Sequence, residues 1–311
     1  MSNQEAVKVS VCMIAYNHQD YISQAIDCIL MQKTTFPFEI IIGDDSSKDD
    51  TRKICEEYAA KYPGKIKYYY REKNIGMMPN FINVLERCEG KYIAICEGDD
   101  YWIDENKLQE QADFLEGNAD YSLCCHNHAV LTKGQLIPSN KNITENTRTV
   151  KTEEYLVNPF FHTTSYFFRN TAMPKPFPEW YNNVLAGDHF LVLFLSMHGK
   201  IGYLNKLMSV FRNHGSSVSF TRTARDIKQN FVYHLEQFDK YSDSRYHKTI
   251  QRVIQKWDLV YKIYDPVGYW KKLLYFFQNI GFYFRNFKYV GGLKLFIKYL
   301  LPGQLLQRVK G

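Results

Sequence analysis

Residues 90–102 read GKYIAICEGDDYW, a short apolar strand that ends directly in three carboxylates. The carboxylates of Glu97, Asp99 and Asp100 would repel one another unless a positive charge lay among them. Magnesium and manganese prefer oxygen ligands, and proteins commonly share these ions between one or two carboxylates and the phosphates of a substrate. The stretch therefore predicts a strand whose end holds a divalent metal and a diphosphate.

Strand and helix patterns alternate on the N-terminal side of this stretch. Apolar, β-branched runs predict strands over 7–15, 38–42, 66–70 and 92–96, and apolar residues at helical spacing lie between them. Strands joined by helices pair in parallel, which predicts an α/β fold with a doubly wound, mostly parallel sheet flanked by helices. Ligands of such sheets bind beyond the carboxyl ends of the strands. Three polar clusters occupy those predicted ends, at 15–17, 43–47 and 97–100.

Two familiar nucleotide-binding motifs do not occur in the sequence. No GxGxxG follows the first predicted strand, and the chain has no GxxxxGK[ST]. This argues against a dinucleotide-dependent dehydrogenase and against a P-loop enzyme. A nucleotide site without a glycine-rich loop needs another counter-charge for its diphosphate, and a metal held by carboxylates supplies one.

The composition indicates a globular protein with reduced cysteines. A chain of 311 residues with 45% hydrophobic residues can bury a large core. Its seven cysteines show no paired metal-ligand spacing, which favours core thiols over a disulfide framework. The N-terminus is polar, and no run of eighteen apolar residues occurs. We therefore expect a cytoplasmic location.

The net charge of +6 is concentrated near the C-terminus, where no Asp or Glu follows Asp265 but eight basic residues do. These residues alternate with Trp, Phe and Leu, a pattern typical of helices that lie in a membrane interface. We expect a globular domain over 1–225 and a helical extension over 226–311 that binds the inner face of a membrane. The alternative is a helical cap that packs on the domain or on a second copy of the chain, as a homo-oligomer. Carboxylates on the predicted site argue against nucleic acid as the partner of the basic residues.

Six segments carry a family resemblance through their order and spacing: VSVCMIAYNHQDYISQAI at 9–26, IIIGDDSSKDDT at 40–51, NIGMMPNF at 74–81, GKYIAICEGDDYW at 90–102, AGDHFLVLFLSMHGKIGYL at 186–204 and FRNHGSSVS at 211–219. Together they resemble the family 2 inverting glycosyltransferases of bacterial surface-polysaccharide type, which have the GT-A fold. The resemblance covers roughly the first 220 residues. It implies that the domain over 1–225 uses Mn²⁺ or Mg²⁺ to move a sugar from a nucleoside diphosphate donor, most simply UDP, to a glycan or a lipid-linked acceptor.

The resemblance also implies roles for individual positions. Asp188 matches the general base, and Asp99 and His214 match the residues that hold the metal. The first acid of the usual Asp-x-Asp motif is Glu97 in this chain. Residues implied to bind the donor are Ala15, Tyr16, Asn17, Asp44, Asp45, Ser46, Asn74, Glu97, Gly98 and Asp99. Residues assigned to the acceptor are His162, Thr164, Ser165 and Trp102.

Plainer interpretations and other functions stay open. Asp44 and Asp45 are typical turn and cap residues, and Asp188 begins an apolar run where a helix N-cap is common. A sugar-nucleotide nucleotidyltransferase would carry a Gly-rich, Lys-bearing loop near residue 15, where this chain has Tyr16-Asn17-His18. A non-catalytic nucleotide-binding module would need neither Asp99 nor Asp188.

Overall fold

The computed structural model describes residues 7–140, 146–214 and 224–264. The chain divides into two compact units at 221/222, and the predicted domain boundary after residue 225 stays a prediction. The strands of the first unit are β1 Val9–Ala15, β2 Phe38–Asp44, β3 Ile66–Tyr70, β4 Tyr92–Ile95, β5 Tyr101–Trp102, β6 Tyr121–Thr132, β7 Gln135–Pro138, β8 Thr147–Val150, β9 Phe167–Arg169 and β10 Lys200–Arg212. Its helices are α1 Ile22–Leu30, α2 Thr51–Lys61, α3 Met77–Glu86, α4 Lys107–Gly117, α5 Thr152–Val157 and α6 Gly187–Ser196, and the second unit has α7 Ala224–Tyr241 and α8 His247–Tyr264.

The strands of the first unit form one mixed sheet in the order β3-β2-β1-β4-β9-β6-β10-β5. The strands β3, β2, β1 and β4 are parallel, as are β6 and β10, whereas β9 runs antiparallel between β4 and β6. The short strands β7 and β8 pair with β6 and β10. This confirms the predicted α/β fold with a mostly parallel sheet flanked by helices.

The core lies on both faces of the parallel strands. Every residue of β2 and β4 is buried, and β1 is buried at all positions except Ile14. Burial on both faces explains why these strands are mostly apolar rather than alternating. The polar residues Ser10 of β1 and Glu39 of β2 are buried as a hydrogen-bonded pair at 2.7 Å. Their register is shared, since Val9 of β1 lies opposite Phe38 of β2 and Tyr92 of β4. The carboxyl ends of β1, β2 and β4 therefore lie side by side at one edge of the sheet.

The described part of the second unit, residues 224–264, consists of two amphipathic helices. Leu235 and Phe238 of α7 are buried, as are Ile250 and Val253 of α8. Helices are thus present where the C-terminal extension was predicted, but the basic and aromatic residues after 264 lie outside the described residues. Within 7–140, 146–214 and 224–264, no helix has both the length and the apolar character needed to cross a bilayer.

Candidate active site

The three polar clusters predicted from the sequence meet at one edge of the sheet. The backbone N–H of Asp45 donates to the carbonyl of Ala15 at 2.9 Å, which ties the end of β2 to the end of β1. The N–H of Gly98 donates to the carbonyl of Ile14 at 3.0 Å, which ties the turn after β4 to the same strand. The edge therefore has the position at which parallel sheets bind ligands.

Gly98 holds the acidic turn at 97–100 close to β1. A methyl group at this position would lie 2.8 Å from both the Nδ1 atom of His18 and the Cδ1 atom of Ile22. A side chain there would displace the His18 and Ile22 side chains or crowd the carbonyl of Ile14 at 3.1 Å. The predicted donor role of Gly98 stays a prediction, but its lack of a side chain lets the acidic turn pack closely on β1.

Asp44 is buried at the end of β2, and both of its carboxylate oxygens accept hydrogen bonds. Oδ1 accepts from the N–H of Ser47 at 2.8 Å, and Oδ2 accepts from the hydroxyl of Tyr68 at 2.9 Å. Burial and the neighbouring Asp44 carboxylate raise the pKa of the Tyr68 hydroxyl, which therefore stays a donor. Asp44 thus orients the turn that follows it, and its contact with a nucleotide base stays a prediction.

Asp45 anchors the loop that begins with Asn74. Its Oδ1 accepts from the N–H of Ile75 at 2.7 Å, and its Oδ2 accepts from the N–H of Gly76 at 2.9 Å. The side-chain amide of Asn74 donates to the backbone carbonyl of Asp45 at 3.0 Å. The predicted donor residues Asp45 and Asn74 are therefore brought together, although they are far apart in sequence.

The rim beside this loop consists of Tyr16, Asn17 and Ser46. Asn17 and Ser46 have left-handed backbones, with φ angles of 55° and 67°. The side-chain carbonyl of Asn17 accepts from the N–H of Lys48 at 2.8 Å, and the ammonium of Lys48 donates to the hydroxyl of Ser46 at 3.0 Å. Tyr16 is 44% exposed, so its ring is available to a ligand.

Asp99 faces two histidines through a single carboxylate oxygen. Its Oδ2 lies 3.0 Å from Nε2 of His214 and 3.7 Å from Nε2 of His18. Burial lowers the pKa of His18, although the Asp99 carboxylate opposes that shift, so the imidazole is neutral more readily than in water. A carboxylate flanked by two imidazoles is a donor set that suits a divalent transition metal. The predicted pair Asp99 and His214 is therefore brought together, and it fits the implied metal.

Asp100 is turned away from Asp99 and into the core. Its Oδ1 accepts from the N–H of Arg212 at 2.9 Å, whereas its buried Oδ2 accepts no hydrogen bond from the described residues and lies 3.6 Å from Nδ1 of His162. Burial raises the pKa of Asp100, and the carboxylates of Asp99 and Glu97 raise it further. One ligand atom each from Glu97, Asp100 and His162 lie within 4.8 Å of one another, a second grouping that could hold a cation.

Glu97 is also affected by its acidic neighbours. Burial, with smaller contributions from the carboxylates of Asp99 and Asp188, raises the pKa of its carboxyl to about 8. Asp99 and Glu97 also raise the pKa of Asp100, so Glu97, Asp99 and Asp100 are close enough to repel one another, as the sequence predicted. A bound cation would relieve this repulsion.

Asp188 is the second residue of α6, and the N-cap of that helix is Ala186. Burial raises the pKa of Asp188, while hydrogen bonds from the N–H groups of His189 and Asp188 and from the side chain of Thr163 oppose the shift. The preceding Gly187 lies against Met78, whose side chain would have to move to make room for a methyl group there. The Asp188 carboxylate lies near Glu97 of the acidic turn and has the raised proton affinity that suits a base.

The residues assigned to the acceptor are mostly buried. Trp102 is 1% exposed and donates from Nε1 to the carbonyl of Thr164 at 3.1 Å. Thr164 and Ser165 are fully buried, and the side chain of His162 is 22% exposed. The described contacts of Trp102, Thr164 and Ser165 are core contacts, and their predicted contact with an acceptor stays a prediction.

Sequence reasoning counted Asp100 among the three clustered carboxylates without a role of its own, and it gave no role to His18 or Arg212. Arg212 ends β10, donates from Nη1 to the carbonyl of Asp99 at 2.5 Å and lies against the rings of Tyr21 and Tyr101. His18 and Arg212 both lie inside segments that carry the family resemblance, and this location was the sequence feature that could have marked them as site residues.

The glycosyl transferase family 2 model matches residues 10–174, which is more than half of the 311-residue chain. The chain belongs to glycosyltransferase family 2. This match covers the strands and turns that carry Asp44, Asp45 and Asp99, so the family assignment and the geometry refer to the same site.

Relatives of this family 2 chain differ in how much of their length they share with it. An uncharacterized protein of Mycobacterium tuberculosis (strain ATCC 25618 / H37Rv) is 34% identical over 210 residues, which are 68% of this chain and 60% of the relative. The putative teichuronic acid biosynthesis glycosyltransferase TuaG of Bacillus subtilis is 37% identical over 107 residues, which are 34% of this chain and 41% of TuaG. The chain thus spans at most 60% of these two relatives.

A solved structure confirms the GT-A-like fold. TarS 1–349 of S. aureus, solved in complex with UDP-GlcNAc, superposes on this chain with a TM-score of 0.63 at 18% sequence identity. The superposition covers 81% of this chain and 71% of the TarS chain. At this identity the likeness shows a shared fold.

Proposed function

We propose that this family 2 protein is a metal-dependent, inverting glycosyltransferase of surface polysaccharide synthesis. It moves a sugar, of hexose type, from a nucleoside diphosphate donor to a glycan or a lipid-linked acceptor. The observation that carries the proposal is the meeting of Asp99 and His214 at 3.0 Å, with the half-buried carboxylate of Asp188 close enough to Glu97 to raise its pKa. One metal-holding pair and one separate base are what a single-displacement transfer needs.

The donor binds along the edge formed by the ends of β1, β2 and β4. Tyr16, Asn17 and Ser46 contact the nucleoside, and Asp44 accepts a hydrogen bond from its base. Asp45 and Asn74 act by fixing the loop at 74–76, as their hydrogen bonds indicate. Asp99 and His214 hold Mn²⁺ or Mg²⁺, which when bound neutralises the diphosphate leaving group.

Asp188 acts as the general base. Its carboxylate accepts the proton of the acceptor hydroxyl while that oxygen bonds to the anomeric carbon, on the face opposite the departing diphosphate. The configuration at that carbon is thereby inverted. No nucleophilic side chain takes part, so the residues of the chain need only hold the donor, orient the acceptor and accept one proton.

UDP is the preferred nucleoside diphosphate in this proposal. TarS, which shares the fold, was solved with UDP-GlcNAc, and TuaG, which shares part of the sequence, is named for teichuronic acid biosynthesis. We also propose that the protein works in the cytoplasm at the inner face of a membrane, where the basic residues after Asp265 meet anionic lipid. A lipid-linked acceptor would lie at that surface.

A panel of nucleotide sugars tests the proposal. The full-length protein is incubated with each donor, with and without lipid-linked acceptor and with Mn²⁺, Mg²⁺ or a chelator, and released nucleoside diphosphate is measured. We expect metal-dependent release of UDP that the acceptor stimulates, and NMR of the product should show the anomeric configuration opposite to that of the donor. A nucleotidyltransferase would instead release pyrophosphate from a nucleoside triphosphate and a sugar 1-phosphate. A binding module would bind donor without turnover, and either result would contradict the proposal.

A further inference from the structure

Three neighbouring strands place an apolar row beside the candidate active site. In the register of the sheet, Val130 of β6 lies opposite Ile137 of β7 on one side and opposite Phe211 of β10 on the other. Side chains of residues that pair across neighbouring strands lie on the same face of a sheet. Ile137 is 40% exposed, and Val130 and Phe211 are half-buried. The apolar row, which consists of Ile137, Val130 and Phe211, is therefore open to a ligand on that face.

The apolar row leads to the residues around the proposed base. The ring of Phe211 stacks on the ring of His162, with centroids 4.2 Å apart. His162 directly precedes Thr163, whose side chain hydrogen-bonds to the Asp188 carboxylate. Neighbouring strands lie about 4.8 Å apart, so Ile137 at the outer end of the row lies roughly 10 Å from Phe211. An acceptor whose hydroxyl reaches Asp188 can thus place the group attached to it along the row.

The turn between β6 and β7 fixes the register of the row. Lys133 and Gly134 connect the paired residues Thr132 and Gln135, and their φ angles are 49° and 76°. Two-residue turns with two left-handed residues match the natural twist of a β-hairpin. Ile137 is therefore held opposite Val130 by the hairpin itself, and the row needs no ligand to form.

The chemistry of the row favours a hydrocarbon chain over a sugar. None of its three side chains carries a hydrogen-bonding group. A sugar laid on them would lose hydrogen bonds to water on that side without replacing them. A hydrocarbon chain would instead remove apolar surface from water on both partners, which is favourable.

We propose that the acceptor is lipid-linked and that the apolar row binds the first carbons of its hydrocarbon chain. This inference rests on the proposed function, which includes both a glycan and a lipid-linked acceptor. The accepting hydroxyl lies at Asp188, and the chain runs over Phe211 toward Ile137. Because the row begins so close to Asp188, the accepting sugar is the one next to the lipid. The transfer therefore belongs to an early step of chain assembly.

A series of n-alkyl β-glucosides tests the row on the wild type alone. Butyl, hexyl and octyl glucoside are titrated into the full-length protein in the presence of UDP and Mn²⁺, below the concentrations at which they aggregate, and calorimetry measures the affinity. Full burial of one methylene group raises affinity roughly fourfold, so a chain covered on one side should gain roughly twofold per carbon. Octyl glucoside should thus bind about 16-fold more tightly than butyl glucoside. An affinity that does not grow with chain length, or no binding at all, would overturn the inference.

Two variants of one hairpin distinguish the row from the hairpin tip. Ile137→Ser removes the outer end of the row. Leu136→Ser is the matched control, because Leu136 is 54% exposed and, as the adjacent residue of β7, lies on the opposite face. Both positions are exposed, so both variants should fold. We expect Ile137→Ser to reduce the gain from butyl to octyl glucoside to about fourfold, whereas Leu136→Ser keeps the wild-type gain. Equal losses in the two variants would show that the tip contacts lipid from both faces, which would overturn the row.

Photolabelling locates the chain directly. An octyl glucoside with a diazirine at the end of its chain is irradiated with the full-length protein, and mass spectrometry identifies the labelled residues. Labels are expected on β6, β7 or β10. Labels confined to residues after 264 would mean that the basic and aromatic C-terminal residues bind the chain, and the inference would be wrong.

Transfer assays separate this inference from the proposed function. If the wild type transfers sugar to a lipid-linked acceptor and to the same glycan without lipid at equal KM, the proposed function stands and the inference is wrong. If chain length and Ile137→Ser change binding as described but no donor is turned over, the row binds hydrocarbon chains and the proposed function is wrong.

Discussion

The Oδ2 atom of Asp99 lies 3.0 Å from the Nε2 atom of His214, a residue 115 positions later in the chain. The contact is supported from behind, because Arg212 donates from its backbone N–H to Asp100 and from its guanidinium to the carbonyl of Asp99. The end of β10 is therefore fixed to the turn after β4 by several polar contacts. The junction holds Asp99 and His214, the pair proposed to bind the metal, in fixed positions.

Substitution of Asp99 should abolish metal-dependent donor binding. In Asp99→Ala the carboxylate between His18 and His214 is lost, so neither the cation nor the diphosphate keeps its anchor. We expect calorimetry with UDP and Mn²⁺ to show no binding, whereas Glu97→Ala should weaken binding less. Unchanged affinity in the Asp99 variant would contradict the metal assignment.

Substitution of Asp188 should separate binding from chemistry. Asp188→Asn keeps the size of the side chain but removes the proton acceptor, and loss of a general base typically lowers turnover about 100- to 10,000-fold. UDP binding and the thermal melting curve should stay close to those of the wild type. Asp113→Asn, at an exposed position of α4, is the matched control. Near wild-type transfer by Asp188→Asn would mean that the base lies elsewhere.

The parallel half of the sheet was predictable from the sequence, but the antiparallel strand within it was not. Runs such as 38–42 are mostly apolar because both faces of β2 are buried, so the apolar pattern predicts the strand. The strand β9 has three residues, Phe167–Arg169, which is too short to show a period. Its position between β4 and β6 depends on contacts between residues distant in sequence, which local pattern does not encode.

Residue types and family motifs predicted which residues belong to the candidate site, but not the directions of their side chains. The pairing of Asp99 with His214 followed from the resemblance, and the structure brings the two side chains together. The opposite directions of Asp99 and Asp100 were not predictable. They depend on a tight turn in which the N–H of Asp100 donates to the carbonyl of Glu97 at 3.1 Å. The position of His18 depends in turn on the space beside Gly98.

A buried lysine behind the site should make stability depend on pH. Lys107 is fully buried, donates to the side-chain carbonyl of Gln111 at 2.7 Å and lies 3.9 Å from the ring of Trp102. Burial lowers its pKa from 10.5 to about 7. Between these two pH values the unfolded chain binds more protons than the folded one, so this residue makes the free energy of unfolding rise with pH.

Lys107→Met should remove that dependence. Relative to the wild type, the variant should gain most stability at pH 6, where the wild type carries a buried charge, and least at pH 10. Loss of the hydrogen bond to Gln111 lowers stability by about 1 kcal/mol at every pH, so the test is the change in the difference between the two proteins with pH. Urea unfolding at pH 6, 8 and 10 measures it. Lys53→Met, at an exposed position, should show a constant difference, and a constant difference in Lys107→Met would contradict the shifted pKa.

The basic residues near the C-terminus should bind the protein to anionic membranes. Eight Lys and Arg residues follow Asp265 without a single acid, and each contributes about 1 kcal/mol of attraction near an anionic surface. The full-length protein should therefore sediment with vesicles that contain phosphatidylserine. Binding should weaken at high salt, because such attraction is screened over about 8 to 10 Å at physiological ionic strength.

A variant with matched charge loss distinguishes this attraction from self-association. Changing Lys271, Lys272, Arg285 and Lys288 to Gln should release the protein from the vesicles. The control changes four exposed lysines of the first unit to Gln, Lys53, Lys61, Lys133 and Lys175, and should still sediment. Light scattering on the same samples reports the mass. An interface of Phe and Leu between two copies would persist or strengthen in high salt. If the wild type fails to sediment with vesicles and is a dimer in solution, the C-terminal residues serve self-association and the membrane prediction is wrong.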